Sequence, residues 1–249
     1  MKNFMVGAAA LLSAALVAGA ASASTVVVTP GSPQGWSNPV GENGGGGSAS
    51  ITNASARSGN GSLETHGDRT RWVLGDLYSS SSDLGLFSDF TDLAFEYQID
   101  PLSTTSCCDA KYSPALRLVV WDGATKYDFV WEQAYQAGGY GAAGAIGDWN
   151  TIASGGTFYR NGTSELDERT LATWAGGLSA NAYVGAVYIG VGSGIGSGYT
   201  AYVDNITAGG TTYNFETGAV PEPATWAFMI LGFAGAGAAL RRRTRLANA

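Results

Sequence analysis

Tyr183-Val-Gly-Ala-Val-Tyr-Ile-Gly-Val191 and, after a glycine-rich break, Tyr199-Thr-Ala-Tyr-Val-Asp-Asn-Ile-Thr207 decide the fold of this 249-residue chain. Both runs are rich in β-branched and aromatic residues, which suit a pleated, packed surface. Side chains alternate between the two faces of a strand. In the first run Val184, Ala186, Tyr188 and Gly190 share one face, and Tyr183, Gly185, Val187, Ile189 and Val191 share the other. Neither set is polar, which predicts a strand buried on both sides. Elsewhere Phe95, Tyr97 and Ile99 alternate with polar neighbours, and Leu116, Leu118 and Val120 fall on one face. Shorter runs at 25–28, 48–52, 62–65, 71–77, 127–132, 149–152, 157–160 and 211–215 complete the set, split by Gly, Ser and Asp turns. Many short strands without long helical periodicity predict an all-β chain, an antiparallel β-sandwich. One helix is expected, over Leu166–Trp174 with Ser164 as its N-cap.

The two ends differ from this body. Lys2, an apolar run from Phe4 to Ala20 and the small-residue site Ala21-Ser22-Ala23 read as a signal peptide cut after Ala23. That start implies the secretion translocon and signal peptidase as partners. At the other end, Ala224–Leu240 is an apolar segment at the lower limit for crossing a bilayer as a helix. Trp226 suits the headgroup zone, and Arg241, Arg242 and Arg243 belong on the cytoplasmic side. The chain therefore divides into 1–23, a β-sandwich body at 24–217, and a tail at 218–249 with its basic part at 241–249. Removing Lys2 and the four tail arginines leaves 8 basic residues against 20 acidic ones between 24 and 222, a net charge of −12. Such a surface excludes nucleic acid as a partner.

Three features of the tail follow in order: Pro221-Glu222-Pro223, a Gly/Ala-rich apolar helix, and an arginine cluster. Together, over Val220–Arg245, they resemble the PEP-CTERM sorting signal in its variant with Trp-Ala after the motif. The resemblance implies recognition by exosortase, a membrane enzyme that removes the helix and arginines. It also implies a Gram-negative host that makes exopolysaccharide, with passage through the inner membrane to the cell surface or matrix. The body has its own likeness. Tyr199–Thr207 with Thr211–Glu216, and Gly35-Trp36 with Ser58–Leu63, resemble the closing strands and first hairpin of jelly-roll domains of the carbohydrate-binding kind.

Candidate sites are few. Trp121, Tyr127, Trp131 and Trp149 are the aromatics expected to stack on sugar rings, with Asp122, Asp128, Glu132 and Gln133 nearby to bond hydroxyls. Cys107 and Cys108 are adjacent, a strained position for a disulfide. Export favours oxidation, so they are expected to clip the loop Asp100–Pro114, with free or intermolecular thiols as the alternative. Asp204, Asn205 and Glu216 are a possible calcium set, since that ion takes six to eight oxygens. No other cofactor is expected. The one histidine, His66, has no partner for a serine triad. Glu165, Asp167 and Glu168 are the best carboxylate cluster but read as a solvated helix start. Gly41–Gly47 reads as a flexible loop or spacer, and Gly192–Gly198 as a hairpin loop rather than a phosphate loop, because a strand follows it. The expectation is an exported surface or biofilm-matrix protein that binds polysaccharide without catalysis. A secreted glycan hydrolase and a structural coat protein are the alternatives.

Overall fold

A computed structural model describes residues 24–106, 112–136, 141, 144–218, 230, 231, 233 and 234. Its strands form two sheets. One holds β1 (Ser24–Val28), β3 (Ser48–Thr52), β4 (Ser62–His66), β6 (Ala94–Ile99), β9 (Trp149–Ile152), β13 (Thr200–Ala208) and β14 (Thr211–Phe215). The other holds β2 (Trp36–Ser37), β5 (Trp72–Gly75), β7 (Ala115–Asp122), β8 (Thr125–Trp131), β10 (Thr157–Arg160), β11 (Arg169–Thr170) and β12 (Tyr183–Gly190). The chain is a β-sandwich.

The core lies between the layers. Phe95, Tyr97 and Ile99 of β6 and Val203 and Ile206 of β13 meet Leu116, Leu118 and Val120 of β7, Phe129 and Trp131 of β8, and Val187 and Ile189 of β12. β12 is buried from Val184 to Gly190 because its other face is also covered: Ala186 and Tyr188 pack with Val73, Leu77 and Val119.

The second sheet is antiparallel throughout, in the order β11-β10-β8-β7-β12-β5-β2. The first is not. β1 lies parallel to β14, with Ser24 opposite Thr211 and Val28 opposite Phe215. At the centre of this sheet β13 pairs with β6 along one edge. Along its other edge it pairs with β4 over Thr200–Val203 and with β14 over Ile206–Ala208. The change of partner falls at Asp204 and Asn205, where the register shifts and Asn205 takes a φ of 51°.

Four local expectations need correction. The helix is Leu171–Ala175, α1, and its cap is Thr170, whose hydroxyl accepts from the Thr173 N–H at 3.2 Å. Ser164 opens a turn instead, its carbonyl accepting from Asp167 N–H at 3.0 Å. Arg169 and Thr170 are taken by β11, so helix cannot start earlier. The Gly41–Gly47 run is a loop, but one pinned to Arg69 and not a free spacer. Gly44 and Arg69 exchange backbone hydrogen bonds, and a Cβ on Gly47 would meet the Arg69 carbonyl oxygen at 2.2 Å. Likewise the Gly192–Gly198 loop is not a hairpin, since it joins β12 of one sheet to β13 of the other. Its amides point inward: Asp68 Oδ1 accepts from Gly194 and Gly196.

The signal peptide, the vicinal cysteines Cys107 and Cys108, and the motif residues Pro221, Glu222, Pro223, Trp226, Arg241, Arg242 and Arg243 lie outside the described residues. Of the expected membrane helix only Ile230, Leu231, Phe233 and Ala234 are described; they are helical and exposed. Among the described residues no helix is long and apolar enough to cross a membrane.

Candidate functional site

The outer face of the second sheet carries the most concentrated chemistry. Pairing registers set Arg117 of β7 between Tyr188 of β12 and Val130 of β8. One step along, Val119 stands opposite Asp128, and one step further Trp121 stands opposite Lys126. These are the outward positions of the strands whose inward positions build the core, so alternation alone delivers them to one surface.

Arg117 organises the face. Its Nη1 lies 3.4 Å from Asp128 Oδ2 and 3.4 Å from Tyr188 Oη, and its Nη2 lies 3.2 Å from Glu132 Oε1. Tyr188 in turn donates to Asp128 Oδ2 at 3.0 Å. Burial opposes the charge of Arg117, but Tyr188, Asp128 and Glu132 outweigh it and hold its pKa above the ordinary arginine value. Glu132 shifts the other way from a typical paired carboxylate: burial raises its pKa despite Arg117. One guanidinium is shared by two carboxylates, and at Glu132 burial outweighs it.

A cavity of about 260 Å³ opens beside this cluster. Arg71 stands at one wall, its guanidinium carbon 5.6 Å from the Tyr188 ring centroid, where Arg117 also lies at 5.8 Å. Arg71 Nη1 donates to the carbonyls of Thr70 and Val191, both at 2.8 Å. At the mouth Tyr78 is 68 % exposed, its hydroxyl donating to Glu42. Lys126 Nζ sits 5.3 Å from the Tyr78 ring centroid and donates to the Leu77 carbonyl. A second cavity of about 270 Å³ is lined by Glu132, Ser113, Tyr135 and Ser193.

The four expected stacking aromatics are not gathered on this face. Trp121 is on it, lying against Gly185, where a Cβ would come within 2.8 Å of the indole. Trp131 is a core residue, 2 % exposed and 5.1 Å from the Phe95 ring, because odd-numbered positions of β8 point between the sheets. Tyr127 shares that orientation, stacks near Phe129 at 6.3 Å and is half-buried. Trp149 belongs to β9 in the other sheet, with Arg57 at 6.0 Å. What sequence reasoning missed are Arg71, Tyr78, Arg117, Lys126 and Tyr188. Arg117 was findable, as the one charge inside the apolar run 115–121.

The other carboxylates are engaged separately. Asp167 pairs with Arg169 at 2.8 Å, Glu168 accepts from Gln136 at 2.7 Å, and His66 Nδ1 contacts Thr200 Oγ1 at 2.8 Å.

A second cluster sits at the kink of β13. Asp204 is fully buried, and its Oδ1 accepts from the N–H groups of Asn205 and Phe215 at 2.8 and 2.9 Å. Burial pushes its carboxyl up to about 6, against those hydrogen bonds. The Ser58 hydroxyl faces three oxygens, Asp204 Oδ2 at 3.1 Å, Asn205 Oδ1 at 3.1 Å and Asn214 Oδ1 at 3.4 Å. One hydroxyl proton serves one of them. Beside it Glu216 is fully buried; its Oε2 accepts from Asn60 N–H at 2.5 Å, while Oε1 has no hydrogen-bond partner. Among the described residues no three His, Cys, Asp or Glu side chains gather as a metal set. This cluster has two carboxylates, and its other oxygens are neutral. An excess of oxygens over protons, with one carboxylate oxygen orphaned, fits a hard cation such as calcium.

Residues 219–243 match the family described as the PEP-CTERM protein-sorting motif. The chain carries a PEP-CTERM sorting motif. No curated protein matches the chain. Among solved structures it is similar to a xylan-binding domain from CBM 22, at 12% identity over 74% of this chain and 93% of that one, with a TM-score of 0.36. It is also similar to an exo-beta-agarase, at 11% identity over 70% of this chain and 22% of that one, with a TM-score of 0.35. At such distances neither likeness bears on ligand or chemistry. The PEP-CTERM motif begins four residues after β14 ends at Phe215, so the sorting signal directly follows the sandwich.

Proposed function

We propose that this is an exported surface protein, processed by exosortase, whose sandwich binds polysaccharide without catalysis on the outer face of the second sheet. The PEP-CTERM motif supports the sorting half of that reading. The binding half rests on one observation: a cavity on a sheet face with an exposed tyrosine ring at its mouth and a dense set of fixed donors and acceptors on its floor. Aromatic faces take sugar rings, and preset polar groups take hydroxyls. A non-catalytic role is supported by Asp128 and Glu132, both of which are tied to Arg117 instead of facing each other across open space.

Trp121 stands on the same face and reports binding. Titrating the protein with exopolysaccharide from its own host is expected to change tryptophan fluorescence and to retard the protein in polysaccharide-containing gels. No change in either removes the polysaccharide reading; sugar release by the wild-type protein would replace it with the hydrolase. In the same proposal Asp204, Asn205 and Glu216, with Ser58 and Asn214, hold a calcium ion that pins the β13 kink to the 58–60 loop. The ion's chemistry there is charge balance for two buried carboxylates.

A further inference from the structure

The cavity beside Tyr188 is a positive pocket on a negative body. Between residues 24 and 222 the chain has 8 basic residues, and four of them, Arg69, Arg71, Arg117 and Lys126, line this one cavity. Among the described residues two carboxylates, Glu42 and Asp128, line it with them. Arg117 is matched by Asp128 and Glu132, and Arg69 lies 3.8 Å from Glu42. Arg71 and Lys126 have no carboxylate partner among the described residues; their bonds go to backbone carbonyls and their charges lie near the rings of Tyr188 and Tyr78.

That arrangement costs free energy. Arg71 is pulled below the ordinary arginine value, first by burial and next by the neighbouring charge of Arg117. A surface with an excess of acidic groups had carboxylates to spare for it. Arg71, buried beside Arg117 with no carboxylate in contact among the described residues, and Lys126, whose ammonium donates to a backbone carbonyl, favour a ligand that brings negative charge to the pocket.

Resting on the polysaccharide reading, we propose that the pocket selects an acidic glycan, with a sugar carboxylate set between Arg71 and Lys126 and the sugar ring against Tyr78. The volume of about 260 Å³ falls just below the usual range for ligand sites, so the pocket takes one sugar residue and its substituent at most. Guanidinium groups fit carboxylates through paired donors. Nucleic acid also offers anions and flat rings, so single-stranded DNA is a competitor in the test.

The test uses the full chain in detergent, run through gels containing polygalacturonate or alginate, and through gels containing the same polymers after carboxyl reduction. Retardation by at least one acidic polymer is expected, about tenfold weaker on its neutral derivative and weakened further by salt. Arg71→Gln and Lys126→Gln are each expected to reduce acidic-polymer binding by about tenfold, while Arg160→Gln, outside the pocket, leaves it unchanged. Thermal melting of each variant separates lost binding from lost folding. Equal retardation by acidic and reduced polymers overturns the acidic selection and leaves the polysaccharide reading standing. Absence of retardation by both acidic polymers also overturns it, and the fluorescence titration with host exopolysaccharide then decides the broader reading separately. Equal retardation by single-stranded DNA or polyphosphate reduces the pocket to a general anion site and overturns it as well.

Discussion

The carboxylate of Glu216 stands where a side chain on residue 59 would have to be. A Cβ built on Gly59 would come within 1.8 Å of Glu216 Oε1, and Gly59 itself has a φ of 83°. Space and backbone both require glycine there. Gly59→Ala is expected to lower stability by about 1–3 kcal/mol in chemical denaturation. Gly31→Ala is the control: its Cβ would meet nothing within 4 Å, and the change is expected to stay within about 0.5 kcal/mol.

The orphaned oxygen of Glu216 has a second consequence. Added calcium is expected to raise the melting temperature and EDTA to lower it, with a stabilisation of about 2.7 kcal/mol at a hundredfold excess over Kd. Glu216→Gln abolishes the calcium response. Magnesium, which holds its waters and prefers a tighter octahedron, produces a smaller shift. A melting temperature indifferent to both calcium and EDTA would remove the ion from the β13 kink.

Two aromatics, one in the core and one at the cavity mouth, are expected to behave in opposite ways. Trp131→Ala opens the core beside Phe95 and Tyr97 and is expected to cost about 3–5 kcal/mol of stability. Tyr78→Ala removes an exposed ring and is expected to cost under about 0.5 kcal/mol. Only Tyr78→Ala should weaken polysaccharide binding at full folding, read by gel retardation. The reverse pattern would move the binding face elsewhere.

High pH is expected to unfold the protein through its buried phenols. Burial raises Tyr97, Tyr188 and Tyr199 above the ordinary tyrosine value. A raised folded-state pKa means the folded chain keeps protons that the unfolded chain has lost. Stability from these groups is fully present below the ordinary tyrosine value and falls as pH rises beyond it. Tyrosinate absorbance should therefore appear together with loss of β-structure, and Tyr199→Phe should shallow the pH dependence of unfolding.

Deleting residues 219–249 removes the sorting motif and leaves every described strand intact. Surface retention is expected to be lost while the secreted body keeps its circular dichroism spectrum. Mass spectrometry of the mature wild-type protein should find the arginine cluster gone; an unprocessed C-terminus argues against exosortase cleavage.

The β-sandwich was legible because alternation is a local property. Phe95, Tyr97 and Ile99, or Leu116, Leu118 and Val120, name their own face within six residues, and the two-sided burial of Tyr183–Val191 followed from the same pattern. The binding face was not legible, because it depends on which strands become neighbours. Arg71, Arg117, Lys126 and Tyr188 come from four strands or their ends, and nothing near Arg71 in the sequence announces Tyr188. Grouping Trp121 with Trp131 joined opposite faces of one hairpin, since position 121 on β7 and position 131 on β8 do not share a side. The short helix was misplaced because Thr170, a good cap, competes with Ser164, and only the pairing of β11 with β10 decides between them.

The parallel pairing of β1 with β14 gives the molecule a schedule. Ser24 meets Thr211 across 187 residues, so the edge of the first sheet cannot close until nearly the whole body has been made. The strand that closes it ends at Phe215, four positions before the sorting motif starts at 219. Completion of the fold and arrival of the tail are thus consecutive events along one emerging chain. A cut at the motif leaves β14 whole, whereas a cut upstream of 211 would remove the strand that joins β1 to the sheet.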